Sequence, residues 1–278
     1  MTNNKVWLVT GASSGLGLTT VKTLLAQGYR VAATTRDVEK LKIAVGYSGE
    51  NFLPITMKIT DEIDIQRGIA DILSTFGRID VTVNNAGYIQ VGAIEELSDK
   101  EIRDNFDINV FGMMNVIRAV MAVYRQQKSG RFLNISSISG STTAPGQAIY
   151  SATKAAVIML SEAVDYEGRD FNVRSIAVCP GGLRTNFLGG SARFPEHPLN
   201  EYSSVRQYEQ AYRGLHQNQS GDPEKAAAAL IELAEAENPP LRIYLGADSF
   251  GGAVRKNQEI MQEMQEWQPL SLSTRYDS

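Results

Sequence analysis

Cysteine and histidine are nearly absent from this chain, which has one cysteine, Cys179, and two histidines, His197 and His216. A single cysteine excludes an intramolecular disulfide, and two isolated histidines give no zinc-ligand spacing, so no metal site is expected. A reducing compartment suits such a chain. Basic clusters are missing as well, with 27 Lys and Arg against 31 Asp and Glu and a net charge of −4. Nucleic acid is therefore not expected as a partner, because phosphate binding rests on clustered cations. No run approaches the roughly 18 to 20 apolar residues of a bilayer span, and nothing resembles a signal peptide. The expectation is a soluble cytoplasmic protein without a membrane partner. Internal repeats and low-complexity tracts are also lacking.

What the 278 residues do have is apolar content, 43% of the total, enough to bury a large core in one α/β domain. The organising stretch is Thr10-Gly11-Ala12-Ser13-Ser14-Gly15-Leu16-Gly17, directly after the apolar run Val6–Val9. Such a run reads as a strand buried on both faces, as parallel sheets require. The glycines let the chain turn sharply and leave room against the backbone. Leu18, Val21, Leu24 and Leu25 at helical spacing start a helix at the last glycine, and its free N–H groups and positive dipole end suit a pyrophosphate. The spacing G-x-x-x-G-x-G differs from the usual dinucleotide fingerprint G-x-G-x-x-G. On this stretch alone, a phosphate cradle stands beside a plain tightening of a βα turn.

Strand and helix signals then alternate. Further strands are expected in the stretch from Gly28 to Thr35 and at Phe52–Met57, Ile79–Val83, Arg131–Ser136, Val173–Val178 and Leu241–Leu245. Helices are expected over Val38–Val45, after Thr60-Asp61, over Ser98–Gln127, over Tyr150–Asp165 and after Asp222-Pro223. The alternation predicts a Rossmann-type, doubly wound, parallel seven-stranded sheet with helices on both faces. It forms one domain over 1–278 with its core at 5–246. Ligands of such sheets lie beyond the strands' carboxyl ends, where Gly11, Arg36, Asn85, Ser137 and Pro180 fall. Between Thr185 and Gly221 the periodicity fades, which reads as a mobile excursion over the site. From 247 to 278 the chain reads as a polar helix over Ala247–Trp267 and a loosely held tail, the helix packing on its own domain or meeting a partner.

Chemistry concentrates at Tyr150-Ser151-Ala152-Thr153-Lys154. Residues four apart on a helix share a face, roughly 6 Å apart along the axis, so the Lys154 ammonium can sit beneath the Tyr150 phenol. A nearby cation lowers a tyrosine pKa from about 10 toward neutrality and makes it a usable general acid or base. The same pair also reads as an exposed Tyr and Lys. Ser137, at the end of the fifth strand, can hydrogen-bond a substrate carbonyl oxygen. Asn109, a poor helix former among apolar residues, either binds a water or faces solvent.

Together these pieces resemble the short-chain dehydrogenase/reductase family. The matching motifs are Thr10-Gly11-x-x-x-Gly15-x-Gly17, Asn84-Asn85-Ala86-Gly87, Asn109, Ser137, Tyr150-x-x-x-Lys154 and Pro180-Gly181. The resemblance implies hydride transfer to or from a nicotinamide with Tyr150 as proton donor or acceptor. It implies that Ser137 polarises the substrate oxygen, Lys154 binds the nicotinamide ribose and lowers the Tyr150 pKa, and Asn109 holds a relay water. It places the pyrophosphate on Gly11, Ser13, Ser14, Gly15, Leu16 and Gly17, the adenosine side at Asn85, Ala86 and Gly87, and the nicotinamide at Pro180, Gly181, Leu183 and Thr185.

Cofactor choice falls at Thr34-Thr35-Arg36, which has no carboxylate until Asp37. An acidic residue there pairs with the NAD ribose, whereas Thr35 and the guanidinium of Arg36 suit the 2′-phosphate of NADP(H). The other reading of Arg36 is stacking over adenine. Lys58, followed by Ile59, replaces the aspartate that relatives carry near the adenine amino group. The implied function is reduction of a ketone or aldehyde, in reversible exchange with the alcohol, and the alternative is a non-catalytic NADP(H) sensor or scaffold. Phe187, Leu188, Phe194, Tyr202, Tyr208 and Tyr212 either accept a hydrophobic substrate or pack the lid down, while Arg184 and Arg193 leave an anionic substrate open. Family members pair through the two long helices, which implies a homodimer, with a tetramer as the other arrangement.

Overall fold

In a computed structural model, residues 4–276 are described. Nine strands among them are β1 (Val6–Val9), β2 (Arg30–Thr35), β3 (Phe52–Thr56), β4 (Val81–Asn84), β5 (Ile89–Gln90), β6 (Gly130–Ile135), β7 (Val173–Pro180), β8 (Ala192–Arg193) and β9 (Arg242–Leu245). The helices are α1 (Gly15–Ala26), α2 (Val38–Val45), α3 (Glu62–Phe76), α4 (Asp99–Phe106), α5 (Met113–Gln127), α6 (Ala148–Gly168), α7 (Phe187–Gly190), α8 (Ser203–Gly214), α9 (Pro223–Glu235), α10 (Ala247–Glu266) and α11 (Gln268–Leu272). Seven strands form one parallel sheet in the order β3-β2-β1-β4-β6-β7-β9, while β5 and β8 make a small parallel ribbon apart. This is the doubly wound Rossmann-type architecture that the sequence alternation predicts.

Each face of the sheet is covered because its strands are apolar on both sides. Val9, Ala33, Val83, Leu133 and Ile176 pack with residues of α1 and α9 on one face. On the other, Leu8, Ala32 and Phe132 meet α3, α5 and α6. Strand order reverses between β1 and β4, which opens a crevice beyond their carboxyl ends. Four helices are started by side-chain caps: Asp37 on α2, Asp61 on α3, Ser98 on α4 and Asp222 on α9.

Four features depart from the sequence expectation. The long helix Ser98–Gln127 is not uniform, because a π turn at Asp107–Gly112 separates α4 from α5. That stretch, Asp99–Gln127, also reaches the length and apolarity of a membrane span, contrary to the expectation that no run does. Its inner face is nonetheless core, with Val116, Val120 and Tyr124 fully buried. Thirdly, the segment 185–221 carries α7, β8 and α8. The helix α8 escapes a periodicity reading because Val205 is its sole buried residue. Finally, α10 packs on its own domain only at its start, where Ser249 and Ala253 are buried and the Ser249 hydroxyl donates to the Cys179 carbonyl at 2.7 Å. Past the edge of the body no described residue covers the helix, and Ile260, Met261, Met264 and Trp267 are exposed.

Candidate active site and cofactor cleft

Beyond the carboxyl ends of the central strands lies a cavity of about 830 Å³. Every catalytic and cofactor residue expected from the sequence lines it except Gly17 and Asn109. One end is built by α1. Its N-cap, Ser14, makes no side-chain cap bond, and the first turn holds no acidic residue, whereas α2, α3 and α9 are each capped by an aspartate. The free N–H groups and the positive dipole end of α1 are thus left for an anion. Gly15 reaches this turn through a left-handed φ of +57°.

Gly11 and Gly17 act by close packing. A Cβ on Gly11 would lie 2.7 Å from the Ala86 Cα, and one on Gly17 would lie 2.6 Å from the Gly11 carbonyl oxygen. Gly17 therefore stands behind the loop and supports it, rather than meeting a ligand. Asn85 fastens the same loop, its Nδ2 donating to the carbonyls of Thr10 and Gly11, each at 3.0 Å. Thr10 completes the clasp, its hydroxyl oxygen accepting from the Asn85 and Ala86 N–H groups at 3.0 and 3.2 Å.

At the second wall, the Thr35 hydroxyl lies 2.6 Å from that of Ser13 and accepts from the Asp37 N–H at 3.0 Å. Asp37 is occupied in capping α2 and pairing with Lys40, and it does not line the cavity. Arg36 and Lys58 are both exposed, and among the described residues neither side chain makes an ion pair. The wall made by 34–36 and 57–59 thus presents two unpaired cations and no carboxylate.

The opposite end holds Tyr150, Lys154 and Ser137. Tyr150 and Lys154 are 6% and 5% exposed, so the exposed-pair reading fails. The Lys154 Nζ donates to the Ile135 carbonyl at 2.9 Å and lies 5.7 Å from the Tyr150 ring centroid. Here the expected lowering of the tyrosine pKa is overturned. Burial pushes the Tyr150 phenol up to about 12, opposed by a hydrogen bond with Ser137. Burial also brings Lys154 down to about 8, opposed by Cys179. The physical reason is that desolvation penalises both charged forms, and the ammonium is directed at a backbone carbonyl rather than at the phenol oxygen. Tyr150 is consequently a neutral hydroxyl that can donate.

Asn109 sits in the π turn at 2% exposure, so it does not face solvent. Its Nδ2 donates to the Tyr88 carbonyl at 2.9 Å and the Thr153 hydroxyl at 3.1 Å, and its Oδ1 accepts from the Tyr88 N–H at 3.0 Å. It ties the Gly87-Tyr88 backbone to α6, behind the cavity wall.

Phe187, Leu188, Phe194, Tyr208, Tyr212 and Arg193 of the lid line the cavity. Tyr202 does not, because its hydroxyl donates to Glu95, and Arg184 is turned to the Gln219 carbonyl at 2.9 Å. Sequence reasoning missed Ser139, Gln147 and Asp248 on the wall. Gln147 was findable, being one helical turn before Tyr150. Asp248 was not, since only the fold brings its Oδ2 to accept from the Gly182 N–H at 2.8 Å.

A family model described as short chain dehydrogenase matches residues 5–194. Oxidoreductase BOA17 of Botryotinia fuckeliana is 31% identical over 271 residues, 97% of this chain and 99% of that protein. The crystal structure of a short-chain dehydrogenase from Streptomyces avermitilis is similar with a TM-score of 0.90 and 39% identity, covering 98% of this chain and all of that one. ElxO with NADP bound has a TM-score of 0.74 and 26% identity, covering 89% of this chain and 99% of its own.

Proposed function

The chain belongs to the short-chain dehydrogenase family of nicotinamide-dependent oxidoreductases, and from that premise we propose that it is an NADP(H)-dependent reductase of a ketone or aldehyde. The observation that carries this reading is one cavity with chemistry at both ends: a neutral, buried Tyr150 on the same wall as Ser137, and a wall with unpaired Arg36 and Lys58. The 2′-phosphate would be held by Arg36 and Lys58, the pyrophosphate by the N-terminus of α1, and the nicotinamide by the wall from Pro180 to Thr185. When bound, the cofactor supplies the hydride that reduces the carbonyl carbon.

Ser137 donates to the substrate oxygen and fixes its position. Tyr150 gives its phenolic proton to that oxygen as negative charge develops there, so hydride and proton together yield the alcohol. The Lys154 ammonium makes no bond to the phenol oxygen but, 5.7 Å from the ring centroid, favours the phenolate left behind through its charge. Asn109 holds the Gly87-Tyr88 backbone and α6 in register. The aromatic lid walls suit a hydrophobic substrate. A homodimer is supported by Phe111, Met159 and Tyr166, apolar side chains left exposed on or beside the two long helices, and sedimentation showing a stable tetramer would overturn it. A cytoplasmic location fits the single buried cysteine.

The test is Tyr150→Phe, which removes the proton and little else. Turnover should fall by about 10²-fold or more while NADPH affinity stays within about threefold. Retained turnover would refute the assignment.

A further inference from the structure

The lid brings a second polar group to the reacting end of the cavity. Tyr212 of α8 packs against the cluster that contains Tyr150, Ile89, Val91 and Ala192, and it lines the cavity. Its hydroxyl oxygen accepts a hydrogen bond from the Nε2 of Gln147. Gln147 is 3% exposed, and its Oε1 is already taken by the Ser139 hydroxyl at 3.1 Å. Its N–H donates, the Tyr212 oxygen accepts, and the phenolic proton of Tyr212 has no acceptor among the described residues. Burial raises the Tyr212 pKa, which keeps that proton in place.

The surroundings make this free O–H consequential. Phe187 and Phe194 flank the same part of the cavity, so a hydrocarbon placed there excludes water and leaves the donor unsatisfied. Gln147 precedes Tyr150 by three residues on one helix face, about 4.5 Å along the axis. A substrate oxygen bound at Tyr212 therefore lies near the oxygen bound at Tyr150 without coinciding with it.

We propose that Tyr212 donates this O–H to a second oxygen of the substrate, making it a specificity-determining residue for ketones that carry an acceptor, such as an ester carbonyl, two or three carbons from the reacting carbonyl. The proposal rests on the reductase reading for its choice of ketones. Gln147 and Ser139 are positioning residues that hold the phenol with its proton turned into the cavity.

The experiment compares a β-keto ester with the straight-chain ketone of equal length. Two quantities are read for each: kcat/KM with NADPH, and the calorimetric dissociation constant with NADP+ present. The native protein should favour the keto ester by about fivefold to tenfold, and in Tyr212→Phe the ratio should fall toward one. Because the ratio is taken within each variant, a general loss of stability does not imitate the effect. Equal binding of the two probes by the native protein, an unchanged ratio in Tyr212→Phe, or preference for a β-amino ketone with a donor in place of the acceptor would overturn the proposal. Absence of all turnover alongside a binding ratio that collapses in Tyr212→Phe would remove the reductase reading and leave this contact standing.

Discussion

Substituting Glu96→Gln isolates the anchor of the lid. The Glu96 carboxylate is fully buried and accepts from the Ala93 N–H at 2.7 Å, the Leu199 N–H at 2.7 Å and the Arg206 Nη2 at 2.6 and 2.7 Å. It thus joins the turn before α4 to the chain entering α8 and to α8 itself. Glutamine keeps the shape, but one end of it becomes a donor facing donors. Breaking a buried pair costs roughly 3–5 kcal/mol. Arg206 retains Glu209 at 2.9 Å and is 24% exposed, which reduces the loss; we take it as about 2 kcal/mol. Since Val205 is the sole buried residue of α8, the loss falls on local opening of the lid rather than on the core. About 2 kcal/mol corresponds to roughly 30-fold in an equilibrium. Amide hydrogen exchange should therefore show protection over 199–214 reduced by that factor, with β1 unchanged, and KM for the carbonyl raised more than kcat is lowered. Unchanged protection over 199–214, or an equal loss in β1, would refute the reasoning.

Other outcomes follow from the same geometry. Tyr150 stays protonated through neutral pH, whereas Lys154, at about 8, loses its charge, so kcat/KM for reduction should decline above pH of about 8. The sign for stability is opposite. The folded pKa of Lys154 lies below its ordinary 10.5, so between about 8 and 10.5 the unfolded chain binds more protons, and stability relative to Lys154→Met rises with pH. Urea unfolding of the two proteins across that window checks it. In Gly17→Ala the new Cβ meets Asn85 Nδ2 at 2.5 Å and the Gly11 carbonyl at 2.6 Å, so the loop must shift at a cost of roughly 1–3 kcal/mol, read as a lower Tm and weaker NADPH binding. Lys58→Asp should weaken NADPH binding several-fold and leave NADH binding nearly unchanged; equal constants for the native and substituted proteins would discard that role.

The sheet was legible because Val6–Val9 and the other core strands are apolar on both faces, and their spacing leaves room only for crossover helices. The cavity wall was legible because glycine, a short helix and a sheet end form locally. What remained hidden depends on contacts between distant segments. Nothing in Asp107–Gly112 signals a π turn, and only the fold brings Gly112 against Ile59, where a Cβ would come within 2.6 Å. The Glu96–Arg206 pair joins residues 110 positions apart, and the polar α8 is held by it. Spacing shows that Lys154 is near Tyr150 and says nothing about how deeply both are buried, and burial decides the direction of the Tyr150 shift. Whether α10 packs on its own domain or meets a partner stays open in the sequence, because an amphipathic pattern shows that a helix has an apolar side, not what that side meets.

The most direct test of the central claim is the oxidation of NADPH and of NADH, followed by absorbance, over a panel of ketones and aldehydes in the native protein and in Arg36→Ala. The account predicts turnover with NADPH well above NADH, and a preference that shrinks by about tenfold or more once the guanidinium is removed. Equal rates with the two cofactors, or a preference that survives in Arg36→Ala and in Lys58→Asp alike, would contradict it.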